Sequence, residues 1–318
     1  MFFLPKLLCL ISLFLLSAAW TDIASDSTGK YLAIVGNTVP VSISDDYGAT
    51  WTQTKSNSYP WTTIYSDPTG KTLVGGTSCT SGSYCPGAWY SNDRGATWTQ
   101  SSGFSGAGVS PWFYDAIVGD STGTNLWTVM YVYLYHSANG GKTWYQVSLP
   151  YTYGANTGDA VGVDASNKYV YAVSEGYVCY SSNGGSSWTK GMKYAPTDGS
   201  WRNFVVDKTG QYVYAVTDYT FYHSTDYGHT WTSVKAYPHY DGKFGQIVTE
   251  TTGNSAFVID SGRLYSFTRS TGSYVATSLN ATGLVAVAGS TNGQYLYAAT
   301  SSTIYKSKDS GKTWSVSA

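Results

Sequence analysis

Three acidic residues at matching places in successive segments are the first candidates for chemistry. Glu175, Asp218 and Asp260 each end an apolar stretch. Glycoside hydrolysis needs two carboxyl groups about 5–10 Å apart, and two such residues on neighbouring segments satisfy that requirement if the segments pack side by side. The alternative is that they are ordinary turn residues, as Glu-Gly and Asp-Ser-Gly sequences commonly are. These residues therefore define one hypothesis, a glycosidase.

Aromatic residues with polar neighbours form a second candidate site, for ligand binding. Flat rings stack on the apolar faces of sugars, while adjacent polar groups bond to the hydroxyls. The alternative is that the three tryptophans begin inner strands and pack between segments. The candidate ligand-binding residues are Trp61, Trp112, Asp115, Trp201, Arg202 and Asp241.

The sequence indicates no other catalytic or metal-binding chemistry. The sequence contains no nucleophilic triad, phosphate-binding loop or metal motif, so neither a metal nor a cofactor is predicted. The 318-residue chain has a formal net charge of −1, which gives no attraction toward nucleic acid. Its 30 Tyr, 12 Trp and 35 Gly favour β structure with many turns.

An eight-residue pattern, Ser-x-Asp-x-Gly-x-Thr-Trp, organises the chain, and we call it the box turn. Its acidic or amide side chain accepts hydrogen bonds from the following backbone, and its glycine supplies a positive φ. The final tryptophan is predicted to pack between units. The copies end at Trp51, Trp98, Trp144, Trp188, Trp231 and Trp314. Their turn-forming residues are Asp46, Asp93, Asn139, Asn183, Asp226 and Asp309.

The spacing of the box turns predicts the fold. Successive tryptophans are separated by 47, 46, 44, 43 and 83 residues, and the last interval is two periods. A decayed copy is expected near Tyr274, giving seven units. Strand-rich repeats of this length are typical of propeller blades. The sequence therefore predicts an all-β, seven-bladed β-propeller of four-stranded antiparallel blades, occupying residues 20–318 as a single domain.

A second repeated turn, Asp-x-Thr-Gly, lies between apolar runs about 25 residues before each box tryptophan. It predicts a hairpin between the first two strands of each blade. The blades are expected near 20–56, 57–104, 105–150, 151–193, 194–236, 237–280 and 281–318. Closure should rest on packing of blade 7 against blade 1, without a shared sheet. Both repeated turns then lie on one face, and the variable loops lie on the other, where function is expected.

The first nineteen residues predict a targeting segment. Lys6 precedes an apolar run, and Ser17-Ala18-Ala19 resembles a cleavage site for signal peptidase. A membrane anchor is the alternative, but the apolar run is too short to span a bilayer. We therefore expect a secreted protein with no membrane span after cleavage.

Export permits a disulfide between Cys79 and Cys85, which lie close together in an extended loop. A metal site there is the weaker alternative, because no histidine or second cysteine pair is nearby. Cys179 is predicted to be a buried free thiol. Asn280 begins the only N-glycosylation sequon, which matters only in a eukaryotic host.

The box turns resemble the Asp-box, or BNR repeat, of sialidase-type propellers. That resemblance covers nearly all of residues 20–318 and implies the propeller fold, with the box-turn residues in a structural role. The family includes sialidases, xyloglucan-type hydrolases, sortilin-like receptors and a photosystem assembly factor. Sialidases hold a substrate carboxylate with three arginines. Only four arginines occur here, one of them inside a box turn, so a sialidase is disfavoured.

We therefore expect a secreted, non-catalytic propeller that binds a glycan or an extracellular protein through its variable-loop face. The first alternative is a glycoside hydrolase using a carboxylate pair on that face. The second is a structural extracellular protein that associates with copies of itself. No nucleic-acid partner is expected.

Overall fold

The computed structural model describes residues 20–37, 39–78, 87–104, 113–130, 133–149, 160–193, 199–236 and 243–317. These residues form seven four-stranded antiparallel sheets arranged as a propeller. The predicted fold class is confirmed. Each sheet lies within one of the seven expected blades. Within the described ranges, no helix is long and apolar enough to cross a membrane.

The strands follow each other in chain order within every blade. Blade 1 contains β1 (Trp20–Ser25), β2 (Leu32–Gly36), β3 (Ser42–Ser44) and β4 (Thr52–Gln53). Blade 2 contains β5 (Trp61–Ser66), β6 (Leu73–Thr77), β7 (Ala88–Ser91) and β8 (Thr99–Gln100). Blade 3 contains β9 (Phe113–Gly119), β10 (Leu126–Met130), β11 (Tyr133–Ser137) and β12 (Tyr145–Val147). Blade 4 contains β13 (Val161–Val163), β14 (Val170–Ser174), β15 (Tyr177–Ser181) and β16 (Thr189–Lys193).

The remaining blades repeat this order. Blade 5 contains β17 (Trp201–Val206), β18 (Val213–Thr217), β19 (Thr220–Ser224) and β20 (Thr232–Ala236). Blade 6 contains β21 (Phe244–Thr249), β22 (Ser255–Asp260), β23 (Arg263–Thr268) and β24 (Ser273–Ala276). Blade 7 contains β25 (Leu284–Gly289), β26 (Leu296–Thr300), β27 (Ile304–Ser307) and β28 (Ser315–Val316). The first strands of adjacent blades contact each other, so they surround a central axis.

The box turns fold as their sequence predicts. In blade 1, Thr50 donates to Asp46 twice, from its backbone N to Oδ1 at 2.9 Å and from Oγ1 to Oδ2 at 2.6 Å. The backbone N of Gly48 donates to Ser44 Oγ at 2.9 Å. The bonds from Thr50, led by that of its hydroxyl, lower the pKa of Asp46 to about 2. Asn139 keeps the same frame in blade 3, accepting from Thr143 N at 2.9 Å.

The tryptophan that ends each box turn packs in the seam with the preceding blade. Trp98 of blade 2 packs against a cluster that includes Val35 of blade 1. In blade 6, Tyr274 takes the same place beside Phe221 of blade 5, which identifies the decayed seventh copy. Packing of large rings between tilted sheets therefore holds neighbouring blades together.

Closure of the ring uses packing and individual hydrogen bonds, including that from Thr291 N to Ser27 O at 3.0 Å. Blade 7 and blade 1 do not share a sheet among the described strands. Instead, the Tyr297 hydroxyl donates to Gly29 O at 2.7 Å, and Lys306 Nζ donates to Tyr47 O at 2.8 Å. The predicted closure without strand exchange is confirmed.

Candidate functional site at the mouth of the axial channel

The first strands of the blades do not run straight into the channel. In six blades, the pairing of the first strand with the second skips residues near the beginning of the first strand. Such a bulge redirects the neighbouring side chains. Residues at or next to these bulges meet around a cavity of about 450 Å³. We call this cavity the channel mouth; it is lined by Trp20, Thr21, Thr62, Arg202, Asn203, Lys243, Phe244, Gly245, Gln246 and Val285.

Two cationic side chains share one carboxylate at the channel mouth. Arg202 Nε lies 2.8 Å from Asp218 Oδ1, and Lys243 Nζ lies 3.8 Å from the same oxygen. The backbone N of Ser200 donates to Asp218 Oδ2 at 3.0 Å. Burial raises the pKa of Asp218, but the hydrogen bonds from Arg202 and Ser200 and the charges of Arg202 and Lys243 together outweigh it, so the pKa is lowered overall. The three side chains together carry one net positive charge.

A buried carboxylate lies beneath the channel mouth. Asp22 Oδ1 accepts from Gln246 Nε2 at 2.8 Å, and Oδ2 accepts from Thr63 Oγ1 at 3.0 Å. Oδ2 also accepts from the backbone N of Ile64 at 2.9 Å. Burial raises the pKa of Asp22 to about 6, although these hydrogen bonds oppose the shift. Asp22 therefore joins strands of blades 1, 2 and 6.

The physical reason for this network is the open edge of each inner strand. A first strand pairs on one side only, so its backbone groups on the other side need partners inside the channel. Asp22 accepts from such a group in blade 2, and Gln246 Oε1 accepts from Val287 N of blade 7 at 3.0 Å. The network of Asp22 and Gln246 thus spans four blades and satisfies backbone groups of blades 2 and 7.

Sequence reasoning missed Asp22, Lys243 and Gln246, although a signal for two of them was present. The first strands of four blades begin with an aromatic residue, then any residue, then a polar residue, then an apolar one. These four segments are Trp20–Ile23, Trp61–Ile64, Trp201–Phe204 and Phe244–Ile247. The polar position is where Asp22, Thr63 and Gln246 stand.

Two of the tryptophans predicted to bind ligand lie in the core. Trp61 is 1% exposed and donates from Nε1 to Asn57 O at 3.1 Å. Trp201 is 0% exposed and donates to Gly176 O at 3.2 Å. The structure therefore agrees with the alternative for these two residues, in which the tryptophans begin inner strands and pack between blades. Trp61 packs on Trp98, and Trp201 packs on Phe204.

The three acidic candidates are not brought together as a catalytic pair by any contact among the described residues. Asp218 is engaged by Arg202 and Lys243. Asp260 accepts from the Tyr274 hydroxyl at 2.7 Å and from Ser261 Oγ at 3.0 Å. Glu175 has a φ of 52°, as the first residue of a tight turn requires. Asp218 and Asp260 are thus held by neighbouring side chains, and Glu175 stands in a tight turn.

Several predicted residues cannot be placed. Trp112 and Asp241 lie outside the described residues, as do Cys79, Cys85 and the segment from Met1 to Ala19; for Asp115 the side chain is outside the description. Their predicted roles stay predictions. Cys179 is a buried free cysteine, as expected. No group of three or more His, Cys, Asp or Glu residues in the described ranges is arranged to hold a metal ion.

Comparison with known proteins gives one family. The family model described as "Photosynthesis system II assembly factor YCF48" matches residues 91–318, which is more than two thirds of the chain. A search of curated proteins gives no significant match. This family match confirms the prediction of a BNR-type propeller.

Solved structures support the same fold. YCF48 from Cyanidioschyzon merolae is 12% identical, with a TM-score of 0.64, and the match covers 92% of this chain and 96% of that one. A chain of Kuenenia stuttgartiensis hydrazine synthase is 12% identical, with a TM-score of 0.69 and coverages of 92% and 96%. The Cps50 (Swd1) propeller domain of Myceliophteria thermophila is 13% identical, with a TM-score of 0.63 and coverages of 92% and 97%. At these identities the likeness concerns the fold alone.

The family match corrects two predictions. A photosystem II assembly factor points to an intracellular or organellar location, so the prediction of a secreted protein is wrong. The predicted glycan- or extracellular-protein-binding function is wrong for the same reason, and the glycoside hydrolase alternative has no support. Both errors arose because location and function were inferred from a segment that resembles a leader peptide and from a group of aromatic residues. The expectation that the chain is not an enzyme agrees with the assembly-factor family.

Proposed function

Because the chain belongs to the photosystem II assembly factor YCF48 family, we propose that it is a non-enzymatic assembly factor that holds a protein subunit during assembly of a photosystem II-type complex. The match over residues 91–318 is the observation that carries this proposal. A closed ring of seven sheets suits the role, because it presents fixed groups without rearranging.

We place the contact with the subunit at the channel mouth. Arg202 and Lys243 stand on the first strand of blade 5 and just before that of blade 6, and Lys243 is 67% exposed at its side chain. Their shared carboxylate, Asp218, keeps Arg202 oriented, and a fixed guanidinium binds a partner with less loss of freedom than a mobile one. Fixed polar groups around a cavity are what specific recognition needs.

Complementation tests the function. The chain is expressed in a photosynthetic host that lacks its own YCF48, and photosystem II content is measured by variable chlorophyll fluorescence and by immunoblot of its core subunits. Recovery of photosystem II supports the proposal. A chain that is abundant and folded in the host, yet restores no photosystem II, argues against it.

A charge reversal tests the location of the contact. Lys243→Glu is expected to lower the recovery of photosystem II several-fold, because the mouth then carries a net negative charge. The matched control is Lys312→Glu, an exposed lysine in the box turn of blade 7. If both variants restore photosystem II equally, the contact with the subunit does not lie at the channel mouth. The proposed role as an assembly factor would be unaffected by that result.

A further inference from the structure

Three rings form a row across blade 3. Trp127 on β10 is paired directly with His136 on β11, and His136 is paired directly with Tyr145 on β12. Trp127 and His136 stack with centroids 4.1 Å apart and an interplanar angle of 18°. Exposure increases along the row, from 1% for Trp127 through 6% for His136 to 52% for Tyr145. The row therefore leads from the core to the surface.

The outer two rings are joined by a hydrogen bond. His136 Nδ1 and the Tyr145 hydroxyl are within hydrogen-bonding distance. Burial lowers the pKa of His136 to about 4, with Asp120 opposing the shift, so the imidazole is neutral near pH 7. A neutral imidazole has one acceptor nitrogen, and a phenol donates to it. His136 Nε2 is buried and has no hydrogen-bond partner in the described part of the chain. Nδ1 is therefore the ring nitrogen that accepts the hydrogen bond from Tyr145.

The other blades show that Tyr145 departs from the repeat. The residue after each box tryptophan is Thr52, Thr99, Thr189, Thr232 or Ser315, and after Tyr274 it is Val275. Only in blade 3 is this position a phenol. Blade 5 has an equivalent inner pair, with Tyr214 beside His223, but Thr232 stands opposite the histidine. His223 Nδ1 there is buried without a partner among described residues.

We propose that Tyr145 is a site of one-electron oxidation, with His136 as the proton acceptor. A diffusible one-electron oxidant takes an electron from the phenol, and the phenolic proton moves to His136 Nδ1. The products are a neutral phenoxyl radical and an imidazolium, which later returns the proton to solvent. Two such radicals on two copies of the chain form a carbon–carbon bond between their rings. The ring hydrogens then shift to the oxygens, giving dityrosine.

The geometry favours this reaction over simple surface exposure. Oxidation of a phenol makes its proton strongly acidic, so an acceptor already in contact removes the need to form a charged radical cation. Stacking on Trp127 keeps the imidazole in place, and half-exposure of Tyr145 lets a partner ring approach. This inference does not depend on the proposed function.

The experiment uses the full chain, tris(bipyridine)ruthenium(II), persulfate and light, followed by peptide mapping of dityrosine. Two introduced phenols provide matched sites on exposed strand positions: Thr232→Tyr, opposite His223, and Thr189→Tyr, opposite Tyr180. We expect Tyr145 and the phenol at position 232 to cross-link several-fold more than the phenol at position 189. Equal yields at all three positions would show that exposure alone decides and would overturn the proposal.

Removal of the acceptor gives an independent measurement. His136→Phe keeps a ring between Trp127 and Tyr145 but cannot take a proton, so the cross-link at Tyr145 should fall several-fold. Circular dichroism checks that the variant is folded. An unchanged yield in a folded variant contradicts the role of His136. If the variant does not fold, the matched phenols at positions 232 and 189 decide the question.

Discussion

The box turns and the channel mouth use the same polar residue types in opposite ways. In a box turn, each carboxylate bonds to groups within its own eight residues, as Asp226 does with Thr230 N at 2.8 Å. At the channel, Asp22 bonds to residues of two other blades. Local bonds can be repeated in every blade, whereas bonds across the axis can be made once. A residue that recurs in every blade of this chain therefore has a role in folding the blade. A polar residue that does not recur is a candidate for contacts between blades at the central axis.

The largest expected effect is at the inner strands. Trp201→Ala removes a fully buried ring that packs on Phe204 and Trp231. We expect the free energy of unfolding to fall by about 3–5 kcal/mol, as for other buried aromatic residues cut to alanine. Urea denaturation followed by tryptophan fluorescence measures it. A loss below 1 kcal/mol would mean that the channel end of blade 5 is loosely packed. That result would contradict the view that contacts at the centre of the propeller are specific and the box-turn bonds local.

The second prediction concerns pH and Asp22. Burial raises its pKa in the native protein to about 6, above the ordinary value of 3.8. The stabilisation from this group is therefore complete below about pH 4 and is lost as the pH rises through 6, amounting to about 3 kcal/mol. Relative to Asp22→Asn, the wild type should lose stability between pH 4 and pH 7. The control variant is Asp45→Asn, which makes the same chemical change at an exposed box-turn position.

The third prediction concerns a box turn. Asp226→Ala removes the acceptor for Thr230 N and Thr230 Oγ1 and should cost about 1–2 kcal/mol. Asp226→Asn should cost much less, because Asn183 already holds the equivalent turn of blade 4. Burial raises the pKa of Asp226, but the Thr230 bonds lower it overall. The stabilisation is therefore present above about pH 4 and is lost as the pH falls through the native pKa.

Thermal melts of the two Asp226 variants at pH 7 and pH 3 test this assignment. If Asp226→Asn is as destabilised as Asp226→Ala at pH 7, the turn depends on charge rather than on hydrogen-bond geometry. The distinction between local and cross-blade polar groups would then need revision.

The smallest effect is expected in the decayed turn of blade 6. Gly272 has a φ of +66° and no atom near an added Cβ, so Gly272→Ala should cost only the strain of that φ, about 1 kcal/mol. Gly228 has a φ of +77°, and an added Cβ would lie 2.7 Å from the Tyr171 ring. Gly228→Ala should therefore cost more. If thermal melts show equal losses of stability for Gly272→Ala and Gly228→Ala, the contact between the box-turn glycine and the ring beneath it does not contribute to stability.

Much of the fold could be predicted because its causes are local. An Asp or Asn bonding to the next few residues, a glycine with positive φ and an apolar ring after it form the same turn wherever they occur. Their spacing gave seven blades, and even Tyr274 was recognised as a decayed copy. Such features need no knowledge of the rest of the molecule.

The candidate site could be predicted only in part. Arg202 and Asp218 were singled out, but as members of different sites, and the structure joins them in one ion pair. The sequence leaves open whether Trp61 and Trp201 pack or bind, because an aromatic residue after a variable loop looks the same in both cases. Burial decided between those alternatives.

The sequence by itself determined the strand order, the blade number and the box turns, since each depends on residues close together in the chain. Only the tertiary structure decided that Asp22, Gln246 and Thr63 meet, and that Lys243 and Arg202 share a carboxylate. Gln246 and Asp22 are 224 residues apart, and their contact depends on closure of the ring. The bulges that turn side chains into the mouth arise from pairing between strands, so residue order alone does not specify which groups the axis brings together.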